Sequence, residues 1–146
     1  MANISELQAA LDVFYKRRFE QEQRLHSSFE AIRDNVVHAH AHFGNWLKEV
    51  SSTLRWSDKP EVLTISVDGI HHQLQTKRLV IGFAQRSMEI IPAVDDDLNL
   101  SFRLEGLTGA PYEVYRVGSG WGLERGDTQV PFNAGTLIEL MIADIP

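Results

Sequence analysis

Residues 3 to about 55 contain no proline and a single glycine, Gly44, and their apolar side chains hold one line. At the helical advance of about 100° per residue, Leu7, Leu11, Phe14, Leu25, Phe29, Ile32, Val36, Phe43, Leu47, Val50 and Leu54 all fall within about 40° of Val36. A strict heptad repeat drifts by about 20° per heptad against a straight α-helix. No such drift builds up here, so the spacing predicts one straight helix over about 3–55 rather than a supercoiled seam. Asn3 followed three residues on by Glu6 is the pattern of a capping box. Ser27 and Glu30 repeat it and offer a break, but a break would reset the phase, and the phase survives.

A helix of that length is about 75 Å long at 1.5 Å per residue, whereas a compact chain of this size has a radius of gyration of about 15 Å. The 146 residues suffice for one domain, 1–146, so the expected arrangement is a single domain whose N-terminal helix projects as an oligomerisation arm. The stripe has one polar gap. Arg18 and Glu22 stand where apolar residues belong, with Gln21 at the edge. Leu7, Leu11 and Phe14, with Arg18, lie beyond that gap and are the expected interface with a second copy. Antiparallel pairing would set Lys16, Arg17 and Arg18 near Glu20 and Glu22 of the other chain.

After "SDKP" (57–60) the periodicity changes to two. "EVLTISV" (61–67), "RLVIGFA" (78–84), "MEIIPAV" (88–94), "LNLSFRLE" (98–105), "PYEVYRV" (111–117) and "GWGLER" (120–125) read as strands. Asp68-Gly69 is a hairpin signal, and Pro92 suggests an edge or a bulge. In "LNLSFRLE" the residues Leu98, Leu100, Phe102 and Leu104 share one face, which predicts a half-buried strand. Asn133 caps a short helix over 134–144. Helices do not alternate with strands, so the fold class is α+β: a long helix, a meander-like antiparallel sheet of about five or six strands over 61–131, and a short C-terminal helix.

"HAHAH" (38–42) offers the most obvious chemistry. On a helix His38 and His42 share a face and His40 points elsewhere, to the border of the core, where a hydrogen-bonded structural histidine is expected. An i, i+4 histidine pair can hold two positions on a metal, which makes His38 and His42 the weak candidates for a metal-responsive site. No Glu follows His38 as an HExxH motif requires, and Asp34 lies too far along the axis from His42 to share an ion with it. A solvated face is the preferred reading, and no metal or other cofactor is expected. His71 and His72 read as polar hairpin residues. "DDD" (95–97) reads as a turn, without the spacing of a calcium loop. "GSGWG" (118–122) lies between two strands rather than before a helix, so it reads as a hairpin and not a phosphate loop. His40, Trp46, Tyr112, Tyr115 and Trp121 form the candidate ligand or partner surface, because amphipathic aromatics favour interfaces.

The chain has no cysteine and a net charge of −6. Disulfides and thiolate chemistry are thereby excluded, and an acidic chain lacks the electrostatic footprint of a nucleic-acid binder. No basic and apolar leader follows Met1 and no run is long enough to span a bilayer, so a cytoplasmic location without membrane attachment is expected. In its small size, acidity and cysteine-free α+β layout the chain is similar to bacterial secretion chaperones, though no motif carries that likeness and no residue is assigned from it. The sequence therefore points to a non-enzymatic, cytoplasmic, homo-oligomeric protein–protein interaction module of adaptor or chaperone-like type, with itself as first partner and another protein as second. The alternatives are a small enzyme or ligand-binding domain with a pocket between sheet and helix, and a metal-responsive protein acting through His38 and His42.

Overall fold

The computed structural model describes residues 3–50, 54–67, 69–109 and 111–146. Helix α1 is continuous over Ile4–Val50, about 70 Å at 1.5 Å per residue. It starts as its sequence requires: the Asn3 side chain accepts from the Glu6 backbone N–H at 3.0 Å. It does not break at Ser27. The Ser27 hydroxyl donates to the Gln23 carbonyl at 3.2 Å and the Ser28 hydroxyl to the Arg24 carbonyl at 3.1 Å. These bonds spend the hydroxyls inside the helix instead of at a cap.

The other end differs from the expected 55. The helix ends at Val50, and Leu54, which falls in phase with the stripe, instead stands just ahead of the first strand and packs against the core. Ser51, Ser52 and Thr53 lie outside the described residues, as do the side chains of Glu49 and Val50.

The sheet has seven antiparallel strands in sequential order, one more than the upper expectation: β1 (Arg55–Val67), β2 (Ile70–Phe83), β3 (Arg86–Val94), β4 (Leu100–Glu105), β5 (Tyr112–Val117), β6 (Gly120–Arg125) and β7 (Thr128–Phe132). It begins at Arg55, not 61, because "SDKP" belongs to an edge strand. Pro60 faces Lys77 there, and an edge is where a residue without an N–H is tolerated. The seventh strand has only five residues and carries Pro131 on the opposite edge, so it is too short to give an alternation to read. Val67 pairs with Ile70 across a tight turn in which Gly69 has φ +77°; Asp68, the other half of that hairpin signal, lies outside the described residues. Pro92 sits in β3 opposite Phe102 of β4, but the β2–β3 ladder ends at Leu79↔Ile90. β3 is therefore an inner strand that is locally an edge where its proline falls. Leu98 is not part of β4: its φ of +64° puts it in the turn that Asp95 organises by accepting from the Asp97 and Asn99 backbone N–H groups.

One face of β2–β7 is covered by the C-terminal half of α1. Val36, Ala39, Phe43 and Leu47 pack with Leu79, Ile81, Met88, Ile90, Phe102, Leu104, Val114 and Leu123. A second cluster joins Leu25, Phe29 and Ile32 of α1 to Leu63, Ile65 and Leu74 of the β1–β2 ribbon. Leu74 and Leu79 are an odd number of positions apart on one strand, so a flat strand would send them to opposite faces. Both lie under α1 because the ribbon twists between them, beyond the end of its pairing with β3. Two-stranded ribbons twist more strongly than broad sheets.

Helix α2 (Ala134–Asp144) closes the core with Leu137, Leu140 and Met141, and Asn133 caps it as expected by accepting from Thr136 N–H at 2.9 Å. At its end Asp144, with a side chain only 3% exposed, is ion-paired with Arg86 and accepts from the Thr108 N–H at 2.7 Å. These bonds hold its carboxyl below the usual carboxylate range and pin α2 to the β2–β3 turn and the loop after β4.

Candidate functional site

The first buried residue of α1 is Leu25. The turns before it form an arm of about 30 Å that the domain does not cover. Leu7 (60% exposed), Leu11 and Phe14 (58%) of the expected interface stand in water there, and so do Ile4, Tyr15 and Phe19 (61%). Arg18 forms an ion pair with Glu22 of its own chain at 3.5 Å, so the polar gap is internally neutral.

Tyr15 and Phe19 were not legible as part of the stripe. They fall about 60° and about 100° from Val36 at the helical advance, outside the narrow line that the core imposes on the rest of the helix. Together with Ile4, Leu7, Leu11 and Phe14 they widen the exposed face to about 140°. The Phe14 and Tyr15 rings meet edge to face at 5.4 Å.

Two clefts flank the body of α1. The first, of about 530 Å³, lies between the helix and the β1–β2 ribbon and is lined by Arg33, Val36, Val37, His40, Asp58 and Lys77, among others. His40 borders the core as its helical phase requires, but its Nε2 is shielded from solvent and has no hydrogen-bond partner among the described residues. The expected structural hydrogen bond is thus missing at that nitrogen. Burial pushes the His40 pKa below the ordinary histidine value, with Asp58 pulling the other way and Lys77 adding to the depression.

That shift has a sign. The folded chain disfavours the imidazolium, so the stability linked to His40 is complete above the unfolded histidine value of about 6.5 and falls as the pH drops through it towards the lowered folded value. Urea midpoints at about pH 8 and about pH 5 should therefore differ more for the wild type than for His40→Gln. An equal difference in the two proteins would remove His40 as the source.

The second cleft lies on the opposite flank of α1. Cavities of about 600 and 320 Å³ share Asn35, Arg116 and Trp121. The Arg116 guanidinium lies over the Trp121 ring, 5.5 Å from its centroid. His38 and His42 line the smaller cavity beside it. A neighbouring guanidinium opposes a bound cation, and among the described residues no three His, Asp or Glu side chains come together as a metal site. The donors around Arg116 are instead of the kind that hold a carboxylate or phosphate. Register alone brings Arg116 opposite Trp121, which no local pattern announces.

The five residues of the expected ligand or partner surface do not form one surface. Trp46 packs edge-on against Phe132 at 5.5 Å and meets Phe43 at 5.2 Å, and Trp121 meets Phe102 at 5.4 Å, so both belong to the aromatic part of the core. The Tyr112 hydroxyl donates to the Thr108 carbonyl at 3.1 Å. Tyr115 borders the Arg116 cleft, whereas His40 lines the cleft across the helix. No helix among the described residues is long and apolar enough to cross a membrane. The chain matches no protein-family model, no curated protein and no solved structure.

Proposed function

We propose that the protein is a non-enzymatic, cytoplasmic, homo-oligomeric interaction module of adaptor or chaperone-like type, which joins copies of itself through the arm of α1. One observation carries this reading: six large apolar side chains, Ile4, Leu7, Leu11, Phe14, Tyr15 and Phe19, stand exposed on the face of a helix that its own domain does not reach. Contiguous apolar surface of this kind marks a contact site. Burying one Leu or Phe is worth roughly 1.5–3 kcal/mol. Two arms facing each other supply enough such side chains to offset an association cost of about 4–15 kcal/mol.

Light scattering tests the reading. The wild type at micromolar concentration is expected at twice the chain mass of 16.5 kDa. Leu11→Asp combined with Phe14→Asp should give a monomer with unchanged circular dichroism, because neither side chain contacts the core. A monomeric wild type overturns the proposal. A variant that unfolds would show that these residues fold back onto their own sheet.

A further inference from the structure

We infer that the cleft between α1 and the β5–β6 hairpin binds a small organic carboxylate with an apolar body. The site lies on the body of the domain, away from the arm, and does not rest on the dimer. Arg116 is its anchor. Alternation along β5 puts Arg116 on the same face as the buried Val114, towards α1, and puts Glu113 on the other. Glu124 pairs with Glu113 and follows the buried Leu123 on β6, so it too faces away. The chain has 20 Asp and Glu against 14 Lys and Arg, yet among the described residues no carboxylate lines either cavity of this cleft. The Arg116 Nε donates to the Gly118 carbonyl at 3.4 Å, and the guanidinium lies over the Trp121 ring. The fork is thus held at its root and against one ring face. Among the described residues it has no ion pair, and its terminal nitrogens have no partner.

Donors on α1 complete the head of the site. Asn35, His38 and His42 occupy one flank of the helix, within about 60° of each other in helical phase. All three are exposed, as is Arg116, so a ligand reaches them without rearrangement. With Ser119 they make the smaller cavity polar apart from Ala39 and Trp121. The larger cavity shares Asn35, Arg116 and Trp121 and continues along Ile32, Leu98 and Leu100. Two compartments of unlike character that meet at one guanidinium suit a ligand with a charged head and an apolar body. Asn99 also lines the larger cavity, but its side-chain amide donates to Asp95 at 3.4 Å, so the donors gather at the Arg116 end. A planar carboxylate takes two parallel bonds from a guanidinium fork, and one permanent cation balances its single charge. A phosphate group carries about −1.5 to −2 at neutral pH, and the cleft has no second Lys or Arg to meet it. The volumes of about 600 and 320 Å³ lie in the range of small-molecule sites, about 300–1,000 Å³.

The probe is 3-phenylpropionate, titrated into the full chain at low salt while the NMR signal of the Trp121 indole N–H is followed. A saturating shift with a dissociation constant on the order of 0.1–1 mM is expected for a ligand of this size. 3-Phenylpropionamide keeps the shape without the charge, and acetate keeps the head without the body. Each should bind about tenfold more weakly or worse. Arg116→Gln should weaken 3-phenylpropionate by about tenfold with unchanged circular dichroism. Asn35→Asp is an independent variant, nearly isosteric and at an exposed helix position. It puts a negative charge on the wall that both cavities share and should weaken binding by at least about as much. Equal affinity for the acid and its amide, full affinity in folded Arg116→Gln or Asn35→Asp, or no shift of Trp121 at millimolar probe would each overturn the inference. Acetate binding as tightly as 3-phenylpropionate would overturn the apolar body, and inorganic phosphate binding more tightly would overturn the carboxylate.

Discussion

Phe102→Ala should lower the unfolding free energy by about 3–5 kcal/mol, the cost of deleting a large aromatic ring from a close-packed interior. Phe102 is fully buried on β4, where its ring meets Phe43 of α1 edge to face at 5.3 Å and Trp121 of β6 at 5.4 Å. It therefore joins the helix to two parts of the sheet. Arg103, one residue on, points the other way. Its side chain is 49% exposed and pairs with Glu105 of its own strand at 2.8 Å. Exposed pairs contribute little, so Arg103→Ala should stay within about 0.5 kcal/mol. Urea denaturation of the two variants against wild type measures the contrast, and similar small losses in both would contradict the packing of β4.

This strand was readable because one of its faces is core and the other water, and the demand on each residue alternates accordingly. α1 was readable for a similar reason: one partner surface fixes the phase of a whole helix. Where no such demand acts, the signal disappears. Residues 55–60 and 71–77 belong to a ribbon that is an edge on one side and leaves β3 on the other, so they hold Asp58, Lys59, His71 and Lys77 without penalty and give no period-two pattern. The twist between Leu79 and Leu74 then hides the strand further, because its apolar residues change phase midway. The candidate site divides along the same line. The arm showed itself by carrying the stripe past the polar gap at Arg18 and Glu22, although its full width did not, since Tyr15 and Phe19 obey no core. The clefts beside His40 and Arg116 are assembled from residues distant in the chain, and only strand register and the docking of α1 on the sheet bring those residues together.

Gly106→Ala should be nearly as damaging as the loss of Phe102, though no side chain is deleted. Gly106 follows β4 with φ +91°, and a Cβ there would lie 2.4 Å from the Ser87 carbonyl oxygen and 3.1 Å from the Met88 Cα. Both obstacles are backbone of β3, so the space cannot be found by a rotamer change. It can come only from parting β3 from the end of β4, beside Met88, which is fully buried. Backbone strain at positive φ adds to this enforced overpacking, and together they should cost about 2–5 kcal/mol. Gly118 separates the two contributions. It has φ +58° in the β5–β6 turn, and a Cβ there would have nothing within 4 Å, so Gly118→Ala carries the conformational cost alone, about 1–2 kcal/mol. Thermal melts of both variants should therefore rank Gly106→Ala well below Gly118→Ala. Equal losses would mean that conformation alone selects glycine at 106 and that β3 yields to a methyl group at no cost.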